Sequence, residues 1–474
     1  MTSTDPRVLA IIVTWNKKDH VLDLLASLRR LEFPKSNLHV LVVDNASEDD
    51  TSQAVTQRFP DAQLIRNAEN LGGTGGFNTG LRWGLAQEPG RFDYFWLLDD
   101  DVVVHPNALS GLLAVLDLEP DIAVAGSTMM QLDRPWRINE MGAFVDRDFG
   151  QLLLHRHLET VPGWEGRTLH EILASDADLT RRLEHCRPYM DVEYVAAASL
   201  LVRAAVAREA GLWHDFFIHF DDVEWCLRIA RQGPRVVVSA RSLIWHLSAA
   251  AKVRTWVLYY DNRNVLFLLR RHGSGRLVPA QRRVLKKAAY YSLLGKLGLA
   301  RLHLKALEDF QAGITGKQEA DPGIYYRPSP ELESVLGDPS VRRVLIPWTV
   351  NQQATGIQTH LVRVMRRRPQ LKVDYLVTDG PGFWFRQLPG AQVRVVPRNR
   401  LLRWLRYLRP PSRYDVVLQS DYEPLPMISW LGRQVVFVND AGIAAMPAPR
   451  IADLSPVLRA IARKWFALSR GDNQ

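Results

Sequence analysis

Three consecutive aspartates, Asp99, Asp100 and Asp101, follow the apolar run 94–98 and give the strongest chemical signal in the sequence. Alternate residues of an extended segment point the same way, so the carboxylates of Asp99 and Asp101 can converge while Asp100 faces elsewhere. Paired carboxylates favour Mg²⁺ or Mn²⁺, ions that typically bridge the phosphates of a nucleotide. An exposed acidic turn is the alternative, but an apolar strand running directly into the aspartates argues against a solvated face.

A second acidic pair, Asp221 and Asp222, begins a helix-like segment that continues to Arg228. Carboxylates near a helix N-terminus are favoured by the helix dipole, so capping alone would explain the pair. The functional interpretation makes Asp222 a general base that accepts the proton of an attacking hydroxyl. His246 could add an imidazole to the same metal site, although a lone histidine is more often structural.

A glycine-rich segment runs from Asn70 to Asn78 and includes Gly72 and Gly73. We expect a loop over 72–76 followed by a helix, with exposed backbone amides that could approach a phosphate or a sugar closely. Its spacing matches neither a P-loop nor a dinucleotide-binding fingerprint. The segment therefore supports a binding site without identifying the ligand.

The elements that position these residues alternate between β-rich runs and amphipathic stretches, which predicts βαβ units and a mostly parallel sheet. We predict strands at 8–13, 39–43, 63–65 and 94–98, and helices at 17–31 and 50–59, the latter with Ser47 as a plausible N-cap. Ligands of open α/β sheets lie beyond the carboxyl ends of the strands. The polar residues expected at this edge are Thr14, Trp15, Asn16, Asp44, Asn45, Asn67 to Gly76, and Asp99 to Asp101.

The rest of the chain predicts a second α/β segment. Strand-like runs recur at 195–202 and 236–238, and a basic amphipathic helical region extends from Arg270 to Lys317. That region could be a helix pair covering the sheet, or it could dock onto anionic lipid. Further strand-like runs follow at 344–346, 373–377, 393–396, 416–418 and 435–438. We expect domains at 1–270 and 341–474, with a basic helical region at 271–320 and a linker at 321–340 between them.

Taken together and in this order, the motifs resemble family 2 glycosyltransferases with a GT-A fold, in particular the galactofuranosyltransferase and rhamnosyltransferase-like branch. The resemblance covers about Val8 to Arg270. The C-terminal part from about Val341 weakly resembles the N-terminal half of a GT-B glycosyltransferase, and we assign it no catalysis. The motifs that carry the main resemblance are 13–16, 43–47, 70–73 with 75–77, 99–101, 219–222 and 245–246.

The resemblance implies an inverting, metal-dependent transfer from a nucleotide diphosphate sugar to a glycan or polyprenyl-linked acceptor in cell-surface polysaccharide synthesis. Asp222 would be the catalytic base, and Asp99, Asp101 and His246 would ligate Mn²⁺ or Mg²⁺. Asp44 would lie near the nucleobase. The remaining residues expected to bind substrate are Thr14, Trp15, Asn16, Asn45, Asn70, Gly72, Gly73, Asp100 and Asp221. Galactofuranose or rhamnose is the expected sugar.

Composition bounds these expectations. With 474 residues, 47% hydrophobic and 23% charged, the chain is typical of a folded protein of two or three domains. Its two cysteines exclude a disulfide framework, and the polar start of the chain leads us to expect a cytoplasmic protein, peripheral to the cytosolic face of the membrane at most. The net charge of +9 predicts an acidic partner, such as an anionic membrane surface or phosphate-bearing substrates. We expect no nucleic acid, because no recognised binding motif is present.

Two other functional classes fit parts of this pattern. A sugar nucleotidyltransferase also places paired aspartates and a metal on an α/β sheet, but it usually carries a basic glycine-rich signature early in the chain, where this sequence has Thr14-Trp15-Asn16. A non-catalytic protein that binds glycans or nucleotides would need the same pocket without the base. Both alternatives stay open at the level of sequence.

Overall fold

The computed structural model of this chain divides into two compact units. The first comprises Met1–Lys252, Arg263–Ala280 and Ala312–Gln318, and the second Val253–Asn262, Gln281–Gln311 and Glu319–Gln474. The domain limits predicted at 270, 320 and 340 stay predictions beside this division. The structure describes residues 6–154, 159–175, 186–247, 256–347, 349–350, 355–378, 390–396, 414–426 and 428–470.

The first unit is built on a ten-stranded mixed sheet. Eight strands lie in the order β10-β12-β6-β11-β4-β1-β2-β3, while β5 pairs with β12 and β7 pairs with β6. A separate two-stranded sheet joins β8 and β9. The strands are β1 (Val8–Thr14), β2 (Leu38–Asp44), β3 (Gln63–Arg66), β4 (Tyr94–Asp99), β5 (Val102–Val104), β6 (Ile122–Gln131), β7 (Ile138–Glu140), β8 (Ala143–Val145), β9 (Leu152–Leu154), β10 (Tyr189–Val192), β11 (Leu200–Arg203) and β12 (Arg235–His246).

Helices cover both faces of this sheet, because alternate residues of each central strand are apolar on either side. In β1, Leu9 and Ile11 join the core under α3, whereas Val8, Ala10 and Ile12 join the core under α1 and α4. The helices of this part of the chain are α1 (Lys18–Leu28), α2 (Thr51–Arg58), α3 (Gly72–Leu85), α4 (Ala108–Leu116), α5 (Leu169–Ser175), α6 (Ala204–Ala210) and α7 (Asp221–Ala230).

The second unit has a six-stranded sheet in the order β15-β14-β13-β16-β17-β18. All neighbouring strands are parallel except β17 and β18. Its strands are β13 (Arg343–Pro347), β14 (Lys372–Thr378), β15 (Gln392–Val396), β16 (Tyr414–Ser420), β17 (Gly432–Asn439) and β18 (Gly442–Pro447). The later helices are α8 (Val257–His272), α9 (Leu277–Leu294), α10 (Leu297–Gln311), α11 (Glu331–Gly337), α12 (Gln358–Arg367) and α13 (Ile451–Arg470).

These observations confirm the expected α/β class, with a large mixed sheet flanked by helices and a second, smaller α/β sheet. All five strands predicted between 344 and 438 are present. Within the described residues, no helix is both long enough and apolar enough to cross a bilayer.

Three local predictions are wrong, each for a physical reason. The strand expected over 195–202 begins only at Leu200, because the Ala197 N–H donates instead to the carboxylate of Asp222. Ser47 does not cap α2, since its hydroxyl accepts the Asn16 N–H. The segment 72–76 is not a loop but the first turns of α3, and its glycines allow the helix to approach the sheet closely.

Candidate active site

The carboxyl ends of β1, β2 and β4 lie side by side, since these strands are parallel and in register from Val8 onward. Thr14 is therefore next to Asp44, and Val13 is next to Asp99. Strand β12 runs in the same direction as β4 and ends at the same edge with His246, which its antiparallel pairing with β5 aligns with Val102. His246 thus lies at the same edge of the sheet as Asp99.

Asp99, Asp101 and His246 form a group of potential metal ligands, called the triad below. Their ligand atoms all lie within 4.8 Å of one another. The His246 Nε2 is 2.9 Å from Asp101 Oδ1 and 4.0 Å from Asp99 Oδ2. Two carboxylates and one imidazole fit Mn²⁺ well and also accept Mg²⁺, so the donor set agrees with the expected cofactor.

Asp100 lies outside the triad, in the turn that follows β4, so the extended alternation expected over 99–101 ends at Asp99. Its carboxylate Oδ1 is 3.5 Å from Lys17 Nζ, which also lies 2.8 Å from Asp101 Oδ2. Burial raises the pKa of Asp100 to about 6, while the Lys17 ammonium acts in the opposite direction and Asp101 adds to the rise. Lys17 was missed at the level of sequence, because no motif links it to residues more than 80 positions away.

The residues predicted to bind the nucleotide join the loop after β1 to the loop after β2. Asn16 has a left-handed backbone with φ of 51°, and its side-chain oxygen accepts the Glu48 N–H at 2.7 Å. Asp44 is fully buried, where it accepts the Ser47 N–H at 2.8 Å and a hydrogen bond from Ser52. Trp15 is 47% exposed beside them and leaves an aromatic face accessible.

Asn45 connects the sheet to the start of α3. Its side-chain nitrogen donates to the Gly72 carbonyl at 2.7 Å, and its side-chain oxygen accepts from Asn67 at 2.8 Å. Asn70 accepts the Gly72 N–H at 2.8 Å, and Gly73 has open space where a Cβ would lie. The glycine-rich segment is therefore held in place by amide side chains and leaves one accessible position.

The start of α3 packs directly against the loop that precedes α7. A Cβ on Gly72 would lie 2.1 Å from the Phe217 carbonyl oxygen, and this oxygen accepts the Thr74 N–H at 3.1 Å. The Thr74 hydroxyl donates to Asp221 at 2.5 Å. Thr74 is thus a contact of the acidic pair that the sequence did not reveal.

Asp222 lies at the first turn of α7 and is held by backbone amides. One carboxylate oxygen accepts the Val223 N–H at 2.8 Å, and the other accepts the Ala197 N–H at 3.2 Å. Burial, then the charge of Asp221, raises the pKa of Asp222 well above its ordinary value, and the charge of Asp99 acts in the same direction. The acidic pair and the triad are therefore close enough to influence each other electrostatically.

The loop before α7 has an unusual backbone that side chains from α8 support. Phe217, His219 and Phe220 have positive φ angles of 65–67°, a conformation costly for residues other than glycine. The buried side-chain nitrogen of Asn264 donates to the carbonyls of residues 216, 218 and 219 at 2.8–3.1 Å. Arg263 adds a bond to the carbonyl of residue 216 at 3.0 Å.

Comparison with known proteins adds an independent line of evidence. Residues 6–264 match the family model described as "Glycosyltransferase like family 2". Galactofuranosyltransferase GlfT2 of Mycolicibacterium smegmatis is 26% identical over 467 residues, which cover 88% of this chain and 70% of that protein. The N-acetylglucosaminyl-diphospho-decaprenol L-rhamnosyltransferase of Mycobacterium tuberculosis is 26% identical over 313 residues, covering 62% of this chain and 91% of that one.

Among solved structures, residues 1–349 of TarS from S. aureus superpose with a TM-score of 0.42 at 17% identity, covering 65% of this chain and 81% of that one. The family match covers more than half of the 474 residues and includes the aspartates, the glycine-rich segment and the base candidate. It favours transfer over the nucleotidyltransferase and non-catalytic alternatives. The chain belongs to the family 2 glycosyltransferases and is a glycosyltransferase.

Proposed function

We propose that this enzyme transfers a sugar from a nucleotide diphosphate sugar to a glycan or lipid-linked acceptor by an inverting, metal-dependent displacement. The observation that carries the proposal is the placement of the triad and the base candidate at one edge of the sheet. Asp99 adjoins β1 in the sheet and raises the pKa of Asp222 through its charge. This electrostatic effect supports a leaving-group site and a base that serve one reaction centre.

The triad is the proposed holder of the donor's diphosphate through a divalent cation. When bound, Mn²⁺ or Mg²⁺ would neutralise the charge that develops on the departing diphosphate. Lys17 could support the same role, because its ammonium lies 2.8 Å from Asp101 and is 36% exposed. Thr14, Trp15, Asn16, Asp44, Asn45, Asn70, Gly72, Gly73 and Asp100 stay the predicted donor-side residues.

In the proposed reaction, the acceptor hydroxyl attacks the anomeric carbon while the bond from that carbon to the diphosphate breaks. The hydroxyl proton passes to the carboxylate of Asp222, which makes this residue the general base. Attack from the face opposite the leaving group inverts the configuration at the anomeric carbon. Asp221, oriented by Thr74, is proposed to bind sugar or acceptor hydroxyls.

The relatives guide the choice of substrates. One is named as a galactofuranosyltransferase, and another as a rhamnosyltransferase that acts on a diphospho-decaprenol-linked sugar. Their names support galactofuranose or rhamnose as the transferred sugar. They also support a polyprenyl-diphosphate-linked acceptor in cell-surface polysaccharide synthesis, for which a position at the cytosolic face of the membrane would be suitable.

A donor panel tests this proposal. We would measure nucleotide release from UDP-, dTDP- and GDP-sugars with Mn²⁺ or Mg²⁺, comparing the wild type with Asp101→Ala and Asp222→Asn. The exposed helix residue Asp23 supplies a matched control, Asp23→Asn. We expect one donor to turn over, Asp101→Ala to lose metal-dependent release, and the control to match the wild type.

The variants separate two ways in which the proposal could fail. Mn²⁺ binding measured by calorimetry should weaken at least about 10–100-fold in Asp101→Ala, since loss of a residue that only supports a ligand already has an effect of that size. Unchanged Mn²⁺ affinity would remove the triad from the proposal. Full turnover in Asp222→Asn would remove the base, since an amide cannot accept the hydroxyl proton.

A further inference from the structure

The C-terminal half of α7 borders two overlapping cavities lined with arginines. The first has a volume of about 480 Å³ and the second about 410 Å³. They share the side chains of Arg231, Arg271 and His272. None of the residues lining either cavity belongs to the triad or to the acidic pair. The other residues of the first cavity are Arg147, Val192, Glu193, Leu227, Ala230 and Gly273.

The positive charge of this region exceeds what its carboxylates neutralise. Arg147 pairs with Glu193. The buried Glu224 is already engaged by Arg228 at 3.1 Å and by His272 at 3.1 Å. Among the described residues, neither Arg231 nor Arg271 has a carboxylate within 4 Å.

Arg231 and Arg271 make few side-chain hydrogen bonds within the protein. Each donates a side-chain hydrogen bond to a backbone carbonyl, Arg231 to that of Arg271 at 3.3 Å and Arg271 to that of Phe267 at 3.4 Å. Arg228 differs, because its guanidinium binds Glu224 and the carbonyls of Ala210 and Leu212. The guanidinium groups of Arg231 and Arg271 therefore keep N–H donors for a further partner. The guanidinium group of Arg228 is instead occupied by hydrogen bonds within the protein.

The walls of the first cavity are held in a fixed arrangement. Arg147 Nη1 donates to the His272 carbonyl at 3.2 Å, and the Ser274 N–H donates to the Arg147 carbonyl at 3.0 Å. A Cβ on Gly273 would lie 2.9 Å from that same carbonyl oxygen, so a glycine is needed for this approach. Arg147 is thus fixed beside the end of α8.

His272 supplies an independent sign of a ligand. Its side chain is only 4% exposed, and its Nε2 lies 3.1 Å from Glu224. Its Nδ1 is buried without a hydrogen-bond partner among the described residues. A buried polar atom without a partner is unfavourable, so an ion or a water molecule that completed its hydrogen bonding would be stabilising at this position.

We propose that the cavity formed by Arg147, Arg231, Arg271 and His272 binds a phosphate group. Guanidinium groups match phosphate oxygens with paired hydrogen bonds, and several of them around one cavity favour a doubly charged anion. This site differs from the triad, which is proposed to hold a cation. The inference concerns binding alone, so it stands or falls separately from the proposed transfer reaction.

Calorimetric titration with inorganic phosphate in EDTA tests the inference, because chelation removes metal-dependent binding at the triad. The wild type should bind phosphate, and Arg231→Ala and Arg271→Ala should each weaken the affinity about tenfold or more, as expected for a lost charged hydrogen bond. Arg276→Ala is the matched control, since Arg276 is exposed, nearby in sequence and outside both cavities. The control should keep the wild-type affinity.

A second arm distinguishes a free phosphate from a lipid headgroup. Vesicles of phosphatidylcholine with and without phosphatidic acid are mixed with the wild type and the same variants. Binding of phosphatidic acid vesicles that both arginine variants lose supports the site with a lipid as its source. Equal binding by the wild type, Arg231→Ala and Arg271→Ala in both arms overturns the inference.

Discussion

At the scale of residues, the acidic pair at the start of α7 is expected to lower the stability of the folded protein and to make Asp222 a stronger base. Asp222 is held by two backbone amides, yet burial and the adjacent charge of Asp221 raise its pKa. A carboxylate with a raised pKa is a stronger base, which suits acceptance of a hydroxyl proton. The same arrangement makes the ionised form costly in the folded protein.

The raised pKa of Asp222 predicts how the free energy of unfolding of Asp222→Asn differs from that of the wild type. A buried aspartate with a raised pKa keeps its proton in the folded state after the unfolded chain has lost it, at a pKa of about 3.9. Its contribution to stability therefore falls as pH rises from about 4 to the raised folded value, by about 1.4 kcal/mol for each unit of pKa difference. Thermal unfolding at neutral pH should show Asp222→Asn to be more stable than the wild type. A lower melting temperature would contradict this account.

The activity of the same residue should depend on pH in the opposite sense. Only the ionised carboxylate of Asp222 accepts a proton, so turnover should rise with pH through its raised pKa and then level off. Asp222→Asn should lose about 10²–10⁴-fold in turnover, the usual contribution of a general base. The pH profile of kcat, measured with saturating donor and acceptor, checks the direction, and a rate that falls as pH rises above 5 would exclude Asp222 as the base.

At the scale of elements, α8 supports the loop that precedes α7. Asn264 donates to three backbone carbonyls of the loop that contains Phe217, His219 and Phe220 in left-handed conformations. Together with the bond from Arg263, these donors help to compensate for the backbone strain of the loop. Asn264 is thus a positioning residue for the acidic pair.

Asn264→Ala should impair both stability and turnover. Loss of the buried amide removes the donor of three hydrogen bonds to backbone carbonyls, at a cost of about 1–3 kcal/mol in the free energy of unfolding. Turnover should fall while the affinity for the nucleotide changes little, because the donor side depends on other loops. The KM and kcat measured separately reveal this difference. Gln53→Ala, at an exposed polar position on α2, is the control, and equal effects of both variants would remove the role of Asn264.

Helix α3 approaches the sheet through a stripe of glycines spaced four residues apart. A Cβ on Gly76, Gly80 or Gly84 would lie 2.3, 2.2 or 2.7 Å from the side chains of Val13, Ile11 and Leu9 in β1. These contacts are too close for any larger residue, so the stripe sets the distance between helix and strand. The same approach brings Thr74 to Asp221.

Gly80→Ala should destabilise the protein although alanine is the better helix former. The added methyl group would collide with the buried Ile11, at a cost of about 1–3 kcal/mol. Gly73→Ala should leave stability unchanged or raise it by up to about 1 kcal/mol, because nothing lies within 4 Å of its Cβ position. Chemical denaturation of both variants provides the test, and equal stabilities would show that α3 can move away from the sheet.

The sequence predicted most of these elements, since strands such as β1 and β4 are continuous apolar runs that only a buried sheet explains. It also predicted the triad: Asp99 and Asp101 from the apolar run that precedes them, and His246 from the resemblance that the order of the motifs carries. Lys17, Thr74 and Asn264 were not predicted. Their roles depend on contacts across more than 80 residues of chain or on backbone carbonyls, neither of which leaves a local pattern.

At the scale of the whole molecule, the basic region 271–320 is less available to a partner than its composition indicates. Lys296 is buried against Asp421, and Lys305 lies 2.6 Å from Asp309. Part of the positive charge therefore stabilises the fold, while Lys286 and Arg301 stay exposed.

The remaining exposed charge predicts weak, salt-dependent attachment to anionic membranes. With a net charge of +9, the protein should bind vesicles that contain phosphatidylglycerol more strongly than vesicles of phosphatidylcholine alone, and high salt should release it. Each basic residue at the surface contributes about 1 kcal/mol, so the double variant Lys286→Glu, Arg301→Glu should weaken sedimentation with the vesicles at least about tenfold. The double variant Arg30→Glu, Arg58→Glu reverses two exposed charges outside 271–320, changes the net charge by the same amount and serves as the control. If both double variants bind the vesicles equally, the attraction comes from the net charge and not from 271–320. If neither the variants nor the wild type bind, the predicted attachment to anionic membranes is wrong.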